Sequence, residues 1–172
     1  FKDKPYSALV ASPDFVAASH DLFFVPFVNG RGCPEPNLES EVAFIGQREN
    51  TSVPELAAAI AEALAFESKT ILDLIRSELK LDYFNVIAAG GNTLNRHLME
   101  SKAALLESGR LFTCTTSELS ALGAAIPGFS NQSSANLPLE QVPVDEKLKV
   151  SLIQSYPKYQ KILDTYKMIR SF

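Results

Sequence analysis

The chain of 172 residues contains no tryptophan, only two cysteines and only two histidines. Cys33 and Cys114 lie far apart and neither belongs to a CxxC pair, so the sequence predicts neither a zinc site nor a redox motif. We expect two reduced thiols in a cytoplasmic protein. His20 and His97 have no acidic partner at a recognised spacing, and we therefore predict surface or helix-capping positions for both.

The sequence also lacks a block of basic residues. It has 16 Lys and Arg against 20 Asp and Glu, which gives a net charge of -4. This balance excludes nucleic acid and anionic membranes as expected partners. No apolar run approaches the roughly 20 residues that cross a bilayer. The chain begins Phe-Lys-Asp-Lys-Pro, without the pattern of a signal segment or an initiator methionine, which we interpret as an indication of a fragment.

Apolar residues are abundant enough for a core, since 46% of the sequence is hydrophobic and 21% is charged. The length suits one sizeable domain. We predict an irregular lead-in over 1–21 and an α/β domain over 22–128. Residues 129–142 are rich in Ser, Asn, Gln and Pro and predict a loop or linker. Residues 143–172 predict a closing helical segment with a half-buried tyrosine face, kinked or divided at Pro157.

Helix and strand patterns alternate through the middle of the chain. Residues 22–28 predict a short strand, which Pro26 restricts to an edge or a bulged end. The capping-box spacing of Ser52 and Glu55 begins a helix over about 53–80. This helix is indicated by apolar residues at helical intervals: Leu56, Ile60, Leu64, Ile71, Ile75 and Leu79.

Further elements follow in the same alternation. Strands are predicted at 85–89 and 111–115, with a helix from near Thr93 to about Ser108 between them. Another helix covers 118–126, with Thr116 or Ser117 as its cap. Such alternation predicts parallel pairing and an α/β layered domain.

The predicted strand at 85–89 ends in Gly90 and Gly91. Adjacent glycines at a strand end have no Cβ atoms, so a flat ring or a phosphate can approach the backbone closely. Asn92 and Asn95 place amide side chains over the following helical turn. Spacing alone leaves two alternatives open: a tight turn with an Asn helix cap, or a surface that hydrogen-bonds an adenine edge. The run is neither a GxGxxG fingerprint nor a P-loop.

Segments taken in order resemble the carboxy-terminal domain of the FGGY carbohydrate kinases. They are Phe23 to Gly30, the long helix, Val86 to Asn95, and Ser117 to Ala125, which together span about residues 22–128. The resemblance implies an actin-like (ribonuclease H-like) ATPase domain, the second lobe of a sugar kinase, with a mixed sheet flanked by helices. It also implies that Gly90, Gly91, Asn92 and Asn95 bind the nucleotide. Gly123 and the alanines beside it would allow close helix packing.

The same resemblance implies an ATP-dependent parent enzyme that transfers the γ-phosphate of ATP to a sugar or polyol hydroxyl with magnesium. In such kinases the sugar site, the catalytic aspartate and both phosphate hairpins lie upstream of the position of Phe1. We therefore expect no catalytic residue and no metal ligand in this chain, which alone would not phosphorylate sugar. The sugar would bind through an amino-terminal half. We expect a pentulose-like acceptor, as for xylulokinase or ribulokinase. The sequence leaves open whether the protein forms a homodimer.

The sequence departs from the family pattern in the loop after the first strand. The run Gly30-Arg31-Gly32-Cys33-Pro34 displaces by one position the arginine of the family's Gly-Glu-Arg-x-Pro. Glu41-Val42 stands where Arg-Gly often precedes Ala-Phe-x-Gly. These departures favour an alternative, a non-catalytic relative that senses nucleotide or binds a partner. A stand-alone α/β domain without a nucleotide site is the remaining alternative, if the glycine pair is incidental.

Overall fold

The computed structural model describes residues 21–37, 41–114, 116, 119–125 and 137–170. Within these residues the chain forms five β-strands, four α-helices and one 3₁₀ turn. The elements in chain order are β1 Phe23–Pro26, β2 Val42–Ile45, α1 Val53–Leu79, β3 Val86–Ala88, the 3₁₀ turn Gly91–Leu94, α2 Arg96–Leu105, β4 Leu111–Cys114, α3 Leu119–Ala125, β5 Leu139–Gln141 and α4 Glu146–Arg170. The predicted lead-in lies outside the described residues, except for Asp21.

The strands form two small sheets. β1 and β2 pair antiparallel, with Phe23 opposite Ile45. The other sheet has the order β3-β4-β5, in which β3 and β4 run parallel while β4 and β5 run antiparallel. It is therefore a mixed sheet, and the predicted α/β class is confirmed.

Two predictions in the carboxy-terminal part are wrong. Residues 139–141 were assigned to a linker but form β5. The strand is only three residues long and exposed throughout, so it carries no alternating pattern that a sequence could reveal. α4 runs through Pro157 as one helix, so the predicted division is wrong, while the alternative of a kink at Pro157 stays a prediction. Pro157 lies on the exposed side, where water can hydrogen-bond the carbonyl that loses its helical partner.

α1 begins and ends close to the predicted limits. The Ser52 hydroxyl accepts the Glu55 N–H at 3.4 Å, and the Glu55 carboxylate accepts the Ser52 N–H at 2.7 Å, so both halves of the capping box are present. The helix ends where Lys80 adopts a left-handed φ of 53°. The predicted helix over about 53–80 is confirmed.

The buried side of α1 is rich in alanine, and several of the helix's Ile and Leu residues lie on the other, exposed side. Its buried apolar residues are Ala58, Ala59, Ala61, Ala63, Ala65 and Phe66. We call the opposite row, Ile60, Leu64, Ile75 and Leu79, the Ile/Leu stripe; its members are 38% to 64% exposed. Small side chains let α2 and β1 pack closely on α1. No helix among the described residues is both long and apolar enough to cross a membrane.

The closing helix α4 completes the core through its aromatic face. Tyr159 is fully buried, and its ring centroid lies 5.0 Å from that of Phe66. The Tyr159 hydroxyl donates to the Glu67 carboxylate at 2.9 Å. Burial, together with that carboxylate, raises the pKa of Tyr159 well above its usual range. Because Tyr156 and Tyr166 are partly buried, the predicted half-buried tyrosine face is confirmed.

We predict that the isolated chain tolerates substitution on the exposed side of α1 and is destabilised by substitution on the buried side. Ile75→Lys should change the free energy of unfolding by less than about 0.5 kcal/mol, because Ile75 is exposed. Ala61→Leu should lower it by about 1–3 kcal/mol, because the added methyl groups overpack a buried site. Urea unfolding followed by circular dichroism measures both values. The reverse order would show that the Ile/Leu stripe belongs to the core.

Candidate functional site

A 3₁₀ turn joins β3 to α2. Gly90 has a φ of 93°, and its carbonyl accepts hydrogen bonds from Thr93, from the N–H at 3.0 Å and from the hydroxyl at 2.8 Å. Asn95 then caps α2, because its Oδ1 accepts the Leu98 N–H at 3.0 Å. α2 therefore begins at Arg96, and the prediction of a start near Thr93 is wrong because the 3₁₀ turn occupies that stretch.

The backbone conformation explains why residue 90 is a glycine, but it does not explain the glycine at position 91. Gly90 lies at a positive φ that L side chains rarely adopt. Gly91 has no such torsion, and a Cβ added there would meet no protein atom within 4 Å. At Gly46 and Gly109, by contrast, a Cβ would overlap a backbone carbonyl. Neither backbone nor packing requires glycine at 91, and open space lies above it.

That space is a groove of about 360 Å³, within the size range of small-molecule sites. It lies at the carboxyl ends of the parallel strands β3 and β4, where α/β domains bind ligands. Its lining comes from the turn, from β4 and the residues after it, and from β5. The lining residues are Gly90, Gly91, Thr93, Leu94, Thr113, Cys114, Thr116 and Glu140.

The structure brings only part of the predicted site together. Gly90 and Gly91 line the groove. Asn92 lines a neighbouring groove of about 360 Å³ between α1 and β3, and Asn95 is buried behind the turn as the helix cap. Sequence reasoning missed Glu140, whose strand was taken for a linker. It also missed Thr113, which carries no motif.

Close packing at Gly123 is a further prediction that the structure contradicts. A Cβ added at Gly123 would meet nothing within 4 Å, and Gly123 and Ala124 are both exposed. Within the described residues, Gly123 therefore makes no close helix contact. Glu118 and Ser117 lie outside the described part of the chain.

His97 lies in the interior, so its predicted surface or capping position is wrong. Its Nε2 lies 3.2 Å from the Glu62 Oε1, and both residues are buried. Glu62 belongs to α1, 35 residues earlier, a separation that no local spacing rule covers. The pair fixes the first turn of α2, and with it the capped glycine turn, onto α1. His20 lies outside the described residues.

The displaced arginine of the loop after β1 is also buried. Arg31 lies 3.4 Å from the Glu67 carboxylate of α1 and 3.3 Å from the Glu35 carboxylate, with its guanidinium over the Phe27 ring. Because Glu67 also accepts the Tyr159 hydroxyl, Arg31 ties the loop to α1 and α4. This arginine stabilises the fold and does not line the groove.

The two cysteines and the acidic and imidazole side chains form no further reactive site among the described residues. Cys33 is exposed and Cys114 is buried, and both are free thiols. Among the described residues no group of three or more His, Cys, Asp or Glu side chains is placed to hold a metal ion.

The chain matches the model of the FGGY family of carbohydrate kinases, C-terminal domain, over residues 2–131. The chain belongs to this family. Sequence relatives include glycerol kinase 5 of Danio rerio, 30% identical over 110 residues that cover 64% of this chain and 21% of the relative. Glycerol kinase 5 of Mus musculus is 28% identical over 107 residues, or 62% of this chain and 20% of the relative. The FGGY chain described here thus spans about a fifth of the length of these curated relatives.

Solved structures share the fold of this FGGY domain. A ligand-bound xylulose kinase from Lactobacillus acidophilus matches with a TM-score of 0.73 and 19% identity, over 96% of this chain and 35% of that one. A glycerol kinase from Plasmodium falciparum with ADP matches with a TM-score of 0.66 and 19% identity, over 92% of this chain and 34% of that one. At these identities the likeness establishes the shared fold, and together with the family match it confirms the predicted fold of an FGGY carboxy-terminal domain.

We predict that the Glu62–His97 pair contributes more to stability than an exposed glutamate on the same helix. Glu62→Ala should lower the free energy of unfolding by about 2–3 kcal/mol, because buried His97 loses this partner. The matched control Glu78→Ala lies on the exposed side of α1 and should change it by less than about 0.5 kcal/mol. Urea unfolding measures both, and equal effects would contradict the anchoring role.

Proposed function

We propose that the chain is the ATP-binding lobe of a carbohydrate kinase that transfers the ATP γ-phosphate to a sugar or polyol hydroxyl. The observation that carries the proposal is the groove over Gly90 and Gly91, at the carboxyl ends of β3 and β4 in an FGGY domain. A glycerol kinase of the same fold was solved with ADP, which supports a nucleotide in this fold.

The groove suits the adenosine part of a nucleotide. Gly91 presents bare backbone, so a flat ring can lie directly on the turn. Leu94 and Cys114 give the lining apolar patches, while Thr93, Thr113 and Thr116 add hydroxyl groups. Asn95 would act indirectly, since its Oδ1 holds the first turn of α2 in place. Asn92 stays a proposed contact from the neighbouring groove.

Magnesium accompanies ATP in phosphoryl transfer, where it neutralises phosphate charge. Among the described residues no group of three or more carboxylate, thiol or imidazole side chains is placed to hold the ion. We therefore assign no residue of this chain to the metal and no catalytic residue to the groove.

An exposed surface on the chain supports a second lobe in the complete kinase. The Ile/Leu stripe of α1 is exposed, and β3 is an edge strand of the sheet that the described residues form. The Val86 N–H points towards β4, where it donates to Arg110, so the alternating Ile87 N–H points to the open edge. Ile87 is also 51% exposed. We propose that the remainder of a longer kinase chain, with the sugar site and the catalytic carboxylate, covers this surface and closes over the nucleotide.

The acceptor, location and assembly belong to the same proposal. The sequence relatives are named glycerol kinases, whereas several solved structures of this fold are xylulose kinases. Both names describe polyol or sugar acceptors, and we keep a pentulose as the working hypothesis for this chain. We propose a cytoplasmic protein without nucleic-acid or membrane partners, and a homodimer as one form of its assembly.

A non-catalytic nucleotide sensor is the second candidate, and the buried Arg31 favours it. This arginine forms internal ion pairs, so it cannot reach a substrate from its present position. A chimera separates the two candidates. In this chimera the matching residues of this chain replace the matched 110 residues of zebrafish glycerol kinase 5. If the kinase proposal is correct, the chimera phosphorylates glycerol and loses this activity with Gly91→Val. A chimera that binds ATP without phosphorylating glycerol would favour the sensor.

We predict that Gly91→Val weakens ATP binding by the chain without unfolding it. The valine side chain meets no protein atom but projects into the groove that the adenosine would fill. Calorimetric titration with ATP and magnesium should show a dissociation constant raised at least about tenfold, the effect of losing a few close contacts.

Gly32→Val is the matched control. Gly32 also lacks a positive φ and any atom within 4 Å of an added Cβ, but it does not line the groove. ATP affinity should be unchanged in this variant. Equal ATP binding by wild type, Gly91→Val and Gly32→Val would remove the nucleotide from the Gly90–Gly91 turn.

A further inference from the structure

Glu140 forms the wall of the groove that faces the glycine turn. It lies in β5, directly opposite Thr113 of β4, and Thr113 lies opposite Ala88 of β3. These residues therefore form one row across the sheet, and residues in such a row project to the same face. The row stands at the carboxyl ends of β3 and β4, and both Thr113 and Glu140 line the groove. Strand β5 lies beyond residues 2–131, which the family model matches.

The Glu140 carboxylate is available to a ligand. The residue is exposed, and its hydrogen bond with the Thr113 side chain uses the Glu140 backbone carbonyl, at 3.4 Å, and not the carboxylate. Within the described residues no hydrogen bond or ion pair to the carboxylate is found. The described lining residues include no Lys or Arg that would neutralise the Glu140 charge.

The charge of Glu140 restricts which part of a nucleotide can lie against it. A carboxylate repels a triphosphate, so the phosphates must extend away from β5. It accepts hydrogen bonds from neutral donors, and its two oxygens can accept from two neighbouring hydroxyl groups. The ribose of ATP carries such a pair at its 2′ and 3′ positions. An acidic side chain on a ribose hydroxyl is also the arrangement that dinucleotide-binding α/β folds use.

We propose that Glu140 accepts hydrogen bonds from the ribose hydroxyl groups of the bound nucleotide and makes the site specific for ribonucleotides. The inference rests on the proposed nucleotide function and adds a specificity determinant from a strand outside the family match. In this arrangement the base lies on the glycine turn, the ribose bridges to β5, and Thr113 lies beside the sugar.

The test compares ATP, 2′-deoxy-ATP and 3′-deoxy-ATP by calorimetry on the full chain with magnesium. Wild type should bind ATP about tenfold more tightly than either deoxy form, the usual effect of a hydrogen bond to a charged group. Glu140→Ala should bind all three nucleotides with nearly equal affinity, no tighter than wild type binds the deoxy forms, because it lacks both hydrogen bonds. Since Glu140 is exposed, the melting temperature of this variant should match that of wild type.

Two controls make the result specific. Glu78→Gln, an exposed carboxylate on α1 that does not line the groove, should keep the preference for ATP. Inosine triphosphate lacks the adenine amino group but keeps the ribose, so Glu140→Ala should weaken its binding by the same factor as that of ATP. A preference of wild type for ATP over inosine triphosphate that disappears in Glu140→Ala, with no loss for the deoxy forms, would assign Glu140 to the base and overturn the inference.

The outcomes also separate this inference from the proposed function. ATP binding that is sensitive to Gly91→Val but indifferent to the ribose hydroxyl groups and to Glu140→Ala would overturn the role of Glu140 alone. Absence of ATP binding in wild type would overturn the nucleotide function, and the role of Glu140 with it.

Discussion

The close approach of α1 to α2 and β1 is the constraint on which the rest of the domain depends. It is made by the alanine side of α1, where side chains of minimal volume bring the backbones together. Within this contact the buried Glu62–His97 pair holds α2 in one position and orientation on α1. A buried pair of this kind tolerates few alternative packings, because separating its members would leave polar atoms unsatisfied. The position of α2 then determines where its Asn95 cap lies and the path of the glycine turn that joins β3 to α2.

The groove follows from that placement. β3 and β4 end beside each other, the capped turn rises on one side, and β5 adds a wall on the other. The loop after β1 is held separately, by Arg31 on Glu67 and by Tyr159 on the same carboxylate. This second network joins the loop after β1 to α1 and α4 without entering the groove. The departure of this chain from the family's Gly-Glu-Arg-x-Pro pattern thus has a structural role in the fold.

Local signals in the sequence were sufficient for α1 and for the glycine turn. The capping box of Ser52 and Glu55 and the spacing of apolar residues both predicted the helix, because they depend only on neighbours along the chain. They could not show that Ala61 is buried while Ile75 is exposed, since that depends on what packs against each side. The partnership of His97 with Glu62 is equally non-local. β5 was missed because its three exposed residues have no periodicity, and Glu140 was missed with it.

The central claim is that a nucleotide lies on the Gly90–Gly91 turn, and a titration of the ¹⁵N-labelled chain with ATP and magnesium tests it most directly. The account predicts that the amide resonances of Gly90 to Leu94, Thr113 and Glu140 shift together in a saturable manner. Resonances of Phe23, Ile45 and Ile162, which line a separate apolar groove between the β1–β2 pair and α4, should not move. Saturable shifts confined to that other groove, with the turn unchanged, would contradict the account.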